Sequence, residues 1–269
     1  MRVGRQHKIE PVELAVVSSR PNKITDKNIR GVSPLWRGLI FTQSNREIRA
    51  YIKDVPLCEL VSEVVCGVVG RALGLPVPRP FIVVNVKHEF DLPRDTFLFA
   101  SEDLGHPSMR RLVEREGHGV FDMLASWSRL YEATVFDEWI ANPDRNQGNL
   151  LVQGADDFVL IDHALAAGGS GSVPDHMISV TNTLANFILQ RIGHVGAAKL
   201  RQQAMESAHS FMQLMFTQLS QLEDACTFWY GAESAEKNRV AQVLAFLLLR
   251  AIYVPKLISE LSGQRVLDV

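Results

Sequence analysis

Between Val135 and Ala164 the chain reads VFDEWIANPDRNQGNLLVQGADDFVLIDHA, and two apolar runs within it leave little freedom for the local fold. Leu150-Leu151-Val152 and Phe158-Val159-Leu160-Ile161 flank the turn signal Gly154-Ala155-Asp156-Asp157, so the segment predicts a β-hairpin. The ends of a hairpin return to one edge. Asn149 before the first strand and Asp162 after the second, thirteen residues apart, are thereby brought together, and Asp144 stands five residues before Asn149. An amide oxygen and a carboxylate so placed suit one magnesium ion, which is usually held by one or two protein groups with phosphate oxygens and water completing a near-octahedral shell. Asp144 remains free to orient or deprotonate an acceptor hydroxyl. Tight turns alone would account for Asn142-Pro143-Asp144 and Gln147-Gly148-Asn149, but not for a matching aspartate beyond the hairpin.

A D-x-x-x-x-N loop followed one hairpin later by an aspartate is the spacing of a phosphoryl-transfer site. FDEWIANPDRNQGNLLV followed by LIDHA resembles the catalytic segment of HipA-like kinases and, more distantly, that of phosphoinositide kinases. The resemblance runs over residues 25–165 and extends to the remaining C-terminal part only in helical character. It implies an α+β, bilobed, protein-kinase-like fold: a small, mostly antiparallel β N-lobe with one helix over residues 1–102, and a larger α-helical C-lobe over residues 103–269. It also implies ATP and magnesium as cofactors, Asp144 and Asn149 as catalytic residues, and Asn149 with Asp162 as metal ligands. The sequence departs from the protein-kinase pattern in having Asn142-Pro143 where His-Arg would precede Asp144, as HipA-like relatives usually do. Regulation through a phosphorylated activation loop is therefore not implied.

Residues 24–53 read as a three-stranded meander, with strands at 24–30, 36–42 and 48–53. The first turn, Gly31-Val32-Ser33-Pro34, takes the place of a phosphate-covering loop, with Gly31 and Ser33 as nucleotide-binding candidates; a surface turn would look the same. Ser33 would then lie near the transferred group, and a phosphate on it would repel the nucleotide. The third strand ends Ala50-Tyr51-Ile52-Lys53, similar to the V-A-I-K strand whose lysine contacts phosphates, so Lys53 is expected in that role. Apolar residues from Leu57 to Leu73 form one helical stripe, with Glu59 and Glu63 four apart on the opposite face. Either could pair with Lys53, and the resemblance of the stretch leading into G-R-A-L-G-L-P-V-P to the HipA-like segment favours Glu63. Further strands are expected at 80–86 and 96–100, the second leading into a hinge of Ser101, Glu102, Asp103 and Leu104 whose backbone would meet adenine.

Beyond these lies a helical remainder. A helix over 121–141 would deliver the chain to Asp144, a small-residue loop over 164–173 has the composition of a mobile segment, and helices are expected at about 178–192, 196–224 and 234–261. His163 could touch phosphate or simply lock its loop by a hydrogen bond. The Met212, Met215 and Phe228-Trp229-Tyr230 cluster reads as core rather than as a binding surface.

At 269 residues and 46% hydrophobic, the chain can bury a substantial core. A formal net charge of −2 gives no global field for nucleic acid, the three cysteines lack metal-site spacing and read as reduced, and the longest apolar run, Val243–Leu249, is too short to span a bilayer. These features predict a cytoplasmic protein with no membrane or nucleic-acid partner, and the resemblance implies an enzyme that binds ATP and acts on a protein substrate of unknown identity. The expected reaction is γ-phosphoryl transfer to a hydroxyl, most simply a Ser or Thr of a protein. Lipid or small-molecule phosphorylation, nucleotidyl transfer (AMPylation) on the same scaffold, and a nucleotide-binding pseudokinase that regulates a partner remain open as alternatives.

Overall fold

The computed structural model describes residues 9–24, 33–87, 89–169, 171–228 and 235–264. Its N-terminal part is a six-stranded sheet of β1 (Glu13–Val17), β2 (Asn22–Lys23), β3 (Leu35–Thr42), β4 (Glu47–Lys53), β5 (Pro80–Val84) and β6 (Phe97–Glu102). The spatial order is β1-β5-β6-β4-β3-β2, and β1 also pairs with β3, so the sheet closes into a barrel-like ring. Only the β1–β5 pairing is parallel. Alternation along the strands fills the ring with Ala15, Val17, Trp36, Ile40, Ala50, Ile52, Phe81, Val83, Leu98 and Ala100.

This ring differs from the expected meander. Its second and third strands are β3 and β4, but the first is β2, whose continuation at Ile24 donates its amide to the Leu35 carbonyl. The rest of the expected first strand and Gly31 lie outside the described residues. Nothing in the sequence reading anticipated β1, a short strand stabilised by partners remote in the chain: Ala15 stands opposite both Thr42 and Val83.

Helix α1 (Leu57–Ala72) follows β4 and is buried almost all round, which is why Val, Leu, Cys, Gly and Ser dominate it. The main apolar core runs without interruption from α1 into α2 (Met109–Glu116), α3 (Gly119–Ser126), α4 (Leu130–Trp139), the hairpin β7 (Leu150–Gly154) and β8 (Asp157–Leu160), and on through α5 (Thr183–Arg191), α6 (Gly193–Cys226) and α7 (Ala235–Gln264). The single helix expected over 121–141 is broken into α3 and α4. At the break Trp127 turns extended, and its indole buries against Phe158 at 5.5 Å between ring centroids.

The small-residue segment after the hairpin is packed rather than loose. Ala166 and Ala167 are fully buried, the Ala167 amide donates to the Ile140 carbonyl at 2.8 Å, and a Cβ on Gly169 would fall 1.6 Å from the Ala164 carbonyl oxygen. Its residues are small because backbone passes against backbone there. Met215 and Phe228 are core residues, while Trp229 and Tyr230 lie outside the described residues. Ala235–Gly263 is long and apolar enough to cross a membrane by length and composition, but half of its most apolar window is buried inside the protein. It carries Arg250 into the core, where the guanidinium donates to the Glu138 carboxylate at 2.8 Å and to the carbonyls of Glu138, His176 and Ile178.

Candidate active site

The site begins in α4, where Asp137 sits between Phe136 and Glu138 with its side chain fully buried. Asp137 accepts two hydrogen bonds from Arg145, Nε to Oδ2 and Nη2 to Oδ1, both at 2.9 Å, and a third from Asn142 Nδ2 at 3.1 Å. Arg145, equally buried, uses its remaining nitrogen Nη1 to donate to the carbonyls of Asn149 at 2.9 Å and Ile161 at 2.5 Å. One guanidinium thus ties three stretches of chain together: the helix, the end of the Asp144 loop and the end of the hairpin. A bidentate pair with every guanidinium nitrogen engaged is the geometry in which a buried ion pair holds a structure rather than straining it.

Within that frame the loop is held by its own amides. Asn142 Oδ1 accepts from the Asp144 amide, Asn146 Oδ1 accepts from the Gly148 amide and from Arg110, and Asn146 Nδ2 donates to Asp144. A Cβ on Gly148 would meet Asn146 Oδ1 at 2.9 Å and Arg110 at 3.1 Å, so a side chain there would push on the hydrogen bond between them. Asn149 Nδ2 donates to the Asp144 carbonyl at 2.7 Å and to Asp144 Oδ2 at 3.2 Å. With its nitrogen so engaged, Asn149 has its amide oxygen left to serve a cation.

The hairpin returns as expected, the Ile161 amide donating to the Asn149 carbonyl at 3.2 Å. Asp162 follows with φ +61°, a left-handed conformation that aspartate tolerates better than most residues and that ends β8. Its carboxylate meets Lys53 at 2.8 Å, and Lys53 also pairs with Glu63 at 3.1 Å. Burial works against the Lys53 charge, but the two carboxylates more than reverse it and raise its pKa above the ordinary lysine value. Burial likewise opposes ionisation of Asp162, and Lys53 overrides it, so that carboxyl stands below its usual range. Glu63 goes the other way: burial pushes its carboxyl up despite Lys53.

Glu63 is not on an exposed face. It is buried, because α1 is covered on both sides, and its second oxygen accepts the His163 amide at 2.8 Å. His163 accordingly locks the segment through its backbone while its ring packs edge-on against Phe136, where burial keeps the imidazole well below its ordinary pKa. Glu59 remains half-buried; burial and then Asp162 raise its carboxyl.

In the expected hinge, the amides of Glu102 and Asp103 donate to the carbonyls of Arg79 and Arg49, and the buried Asp103 carboxylate takes Arg37 and the Gly105 amide. Leu104 is half-buried beside them, and Ser33 occupies a half-buried bend just before β3. Among the described residues no group of three or more His, Cys, Asp or Glu could hold a metal. The Asp162 side chain is one-third exposed beside Lys53.

Residues 49–179 match the family model of the HipA-like kinases. Over that stretch the chain is similar to the HipA-like kinases. The HipA-like segment contains Lys53, Glu63, Glu102, Asp103, Leu104, Asp144, Asn149 and Asp162, and Ser33 precedes it. Among solved structures, the Helicobacter pylori proinflammatory kinase CtkA is similar at 12% identity and a TM-score of 0.44, over 86% of this chain and 94% of that one. No curated protein matches.

Sequence reasoning missed the Asp137–Arg145 pair, Asn142, Asn146 and Arg110. Its one signal was there to be read: Asp137-Glu138 inside Val135-Phe136 and Trp139-Ile140 puts adjacent carboxylates in an apolar helix, which demands buried cationic partners. Arg145 and Arg250 are those partners.

Proposed function

We propose that the protein is an ATP- and magnesium-dependent kinase that transfers the γ-phosphoryl group to a hydroxyl, in the simplest case a Ser or Thr of a protein substrate. The observation that carries this reading is the Lys53–Glu63–Asp162 cluster meeting the Asp144–Asn149 loop through the Arg145 clamp. In this reading residues 1–102 and 103–269 act as two lobes around the nucleotide, in a cytoplasmic enzyme whose cysteines stay reduced. Asn149 Oδ1 and Asp162 hold magnesium, which supplies charge neutralisation on the phosphates. Lys53, released from Asp162, turns to the inner phosphates while Glu63 keeps it aimed. Asp144 takes the hydroxyl proton as that oxygen bonds to the γ phosphorus and the bond to ADP breaks. With the amides of Glu102 and Asp103 engaged, the base contact falls to the backbone of Leu104. Ser33, just before β3, is the candidate self-modification site.

Incubation with ATP labelled at the γ or the α phosphate tests the reaction. Label transferred from γ supports the kinase; label transferred only from α means nucleotidyl transfer, and binding without transfer means a pseudokinase. Asp162→Asn should abolish magnesium-dependent ATP binding, whereas Asp144→Asn should leave binding within about twofold and remove turnover. Equal loss of binding in both variants would contradict the assigned roles.

A further inference from the structure

Lys53 does not stand alone on its strand. Residues two apart on a strand share a face, so Tyr51 and Lys53 both point out of the barrel, with Ile52 inside it. β3 sets Arg37 directly opposite Tyr51, and β6 sets Ser101 opposite it on the other side. Two residues beyond Ser101, Asp103 continues the same face past the end of β6. Arg37 reaches across this face: its Nε and Nη2 bond Asp103 Oδ2 at 2.7 and 2.6 Å, and its Cζ lies over the Tyr51 ring at 5.7 Å from the centroid. The Asp103 side chain is 2% exposed and that of Arg37 48% exposed. A planar cation is therefore fixed in orientation by a buried carboxylate, backed by an aromatic ring, and left open on its outer side.

A guanidinium tethered in this way is a surface on which a flat ring can stack, since Arg combines a delocalised plane with weak hydration. Asp103 accepts on both oxygens, from Arg37 and from the Gly105 amide, and its side chain is buried, so it orients the plane rather than meeting a ligand. Lys53 and the Asp103 end of the face are four strand positions apart, about 13 Å. A nucleoside triphosphate covers that span from its inner phosphates to its base.

We propose that Arg37, held by Asp103 and backed by Tyr51, is the platform on which the purine base of the nucleotide stacks. This rests on the kinase reading above. Stacking reads the ring face and not its edge, so the platform serves adenine and guanine alike.

The test compares binding of magnesium-ATP, magnesium-GTP and inorganic tripolyphosphate to the full chain and to Arg37→Ala, Arg37→Lys and Tyr51→Leu. Removal of one base-stacking partner weakens binding about tenfold or more. Both Arg37 variants should lose about tenfold for ATP and for GTP and bind tripolyphosphate unchanged; Lys fails with Ala because it keeps the charge and loses the plane. Tyr51→Leu should show a smaller loss in the same direction. Retained tripolyphosphate binding also reports that the variants are folded. Equal losses for ATP and tripolyphosphate would make Arg37 a phosphate contact, and unchanged ATP binding would make it a structural pair; either result overturns the platform while leaving the kinase reading intact. Failure of the unsubstituted protein to bind ATP would overturn both.

Discussion

Arg145 shows how much of this site depends on a residue that touches no reacting atom. Its charge is neutralised by Asp137 and its Nη1 binds the carbonyls of Asn149 and Ile161, so one guanidinium holds the backbone beside both metal-ligand candidates against α4. Arg145→Met would leave Asp137 buried without its partner, and breaking such a pair costs about 3–5 kcal/mol. Denaturant unfolding should show that loss. The double variant Asp137→Leu/Arg145→Met removes the orphaned charge as well and should regain much of the stability, yet phosphoryl transfer should stay at least tenfold down because the guanidinium that ties both hairpin ends to α4 is gone. Full recovery of turnover in the stable double variant would reduce Arg145 to a packing residue. Lysine is no substitute here, since it has no fork to match the carboxylate and both carbonyls at once.

At the scale of elements, the closing strand β1 is the weak point of the barrel. It is five residues long, and Glu13 at its start ties it to the β3–β4 turn through the Ser44 hydroxyl at 2.6 Å and Arg46 at 2.9 Å, and to the start of β5 through Arg79. Burial pushes the Glu13 carboxyl up, but the Ser44 hydroxyl and the Arg79 charge pull it down further, so its pKa in the fold lies below the usual value. A lowered folded pKa stabilises above the unfolded pKa, about 4.3 for glutamate, and the contribution is lost as pH falls through the folded value. Thermal melts between pH 3 and 6, about this value, should therefore fall more steeply toward acid in the unsubstituted protein than in Glu13→Gln. Parallel slopes would place the acid sensitivity elsewhere. The hairpin needs no such tie: β7 and β8 are adjacent in the chain and pair from Leu150↔Leu160 to Gly154↔Asp157 with one bulge.

The whole molecule is organised by a core that crosses from α1 to α7, and two thiols report on it. Burial pushes the pKa of the Cys66 thiol well up, with Glu63 adding to the effect, and raises Cys226 in the same way with a contribution from Glu236. Cys58 is only half-buried. A thiol reagent at pH 8, about the pKa of a free cysteine, should titrate at most the Cys58 thiol quickly. Cys66 and Cys226 should react at the rate of global opening, and a Cys58→Ser variant should show no fast phase. Fast reaction of two thiols in that variant would mean that α1 or the end of α6 opens independently of the core.

Local pattern was enough to determine the hairpin, the α1 stripe and the long C-terminal helices, because each is written in neighbouring residues with period two or 3.6. The spacing of Asp144, Asn149 and Asp162, together with the Lys53 strand, brought the reading to the HipA-like family, and residues 49–179 match it. Tertiary structure alone decided the rest. The closure of the barrel by β1, the burial of Glu63, the break at Trp127 and the close packing of Ala166 and Ala167 each depend on a partner distant in the chain. The clearest case is Arg145, which in sequence is a polar residue in a polar loop. Only the arrival of α4 beneath that loop, and of Ile161 beside it, turns its guanidinium into the joint of the site, because a buried charge is defined by what surrounds it.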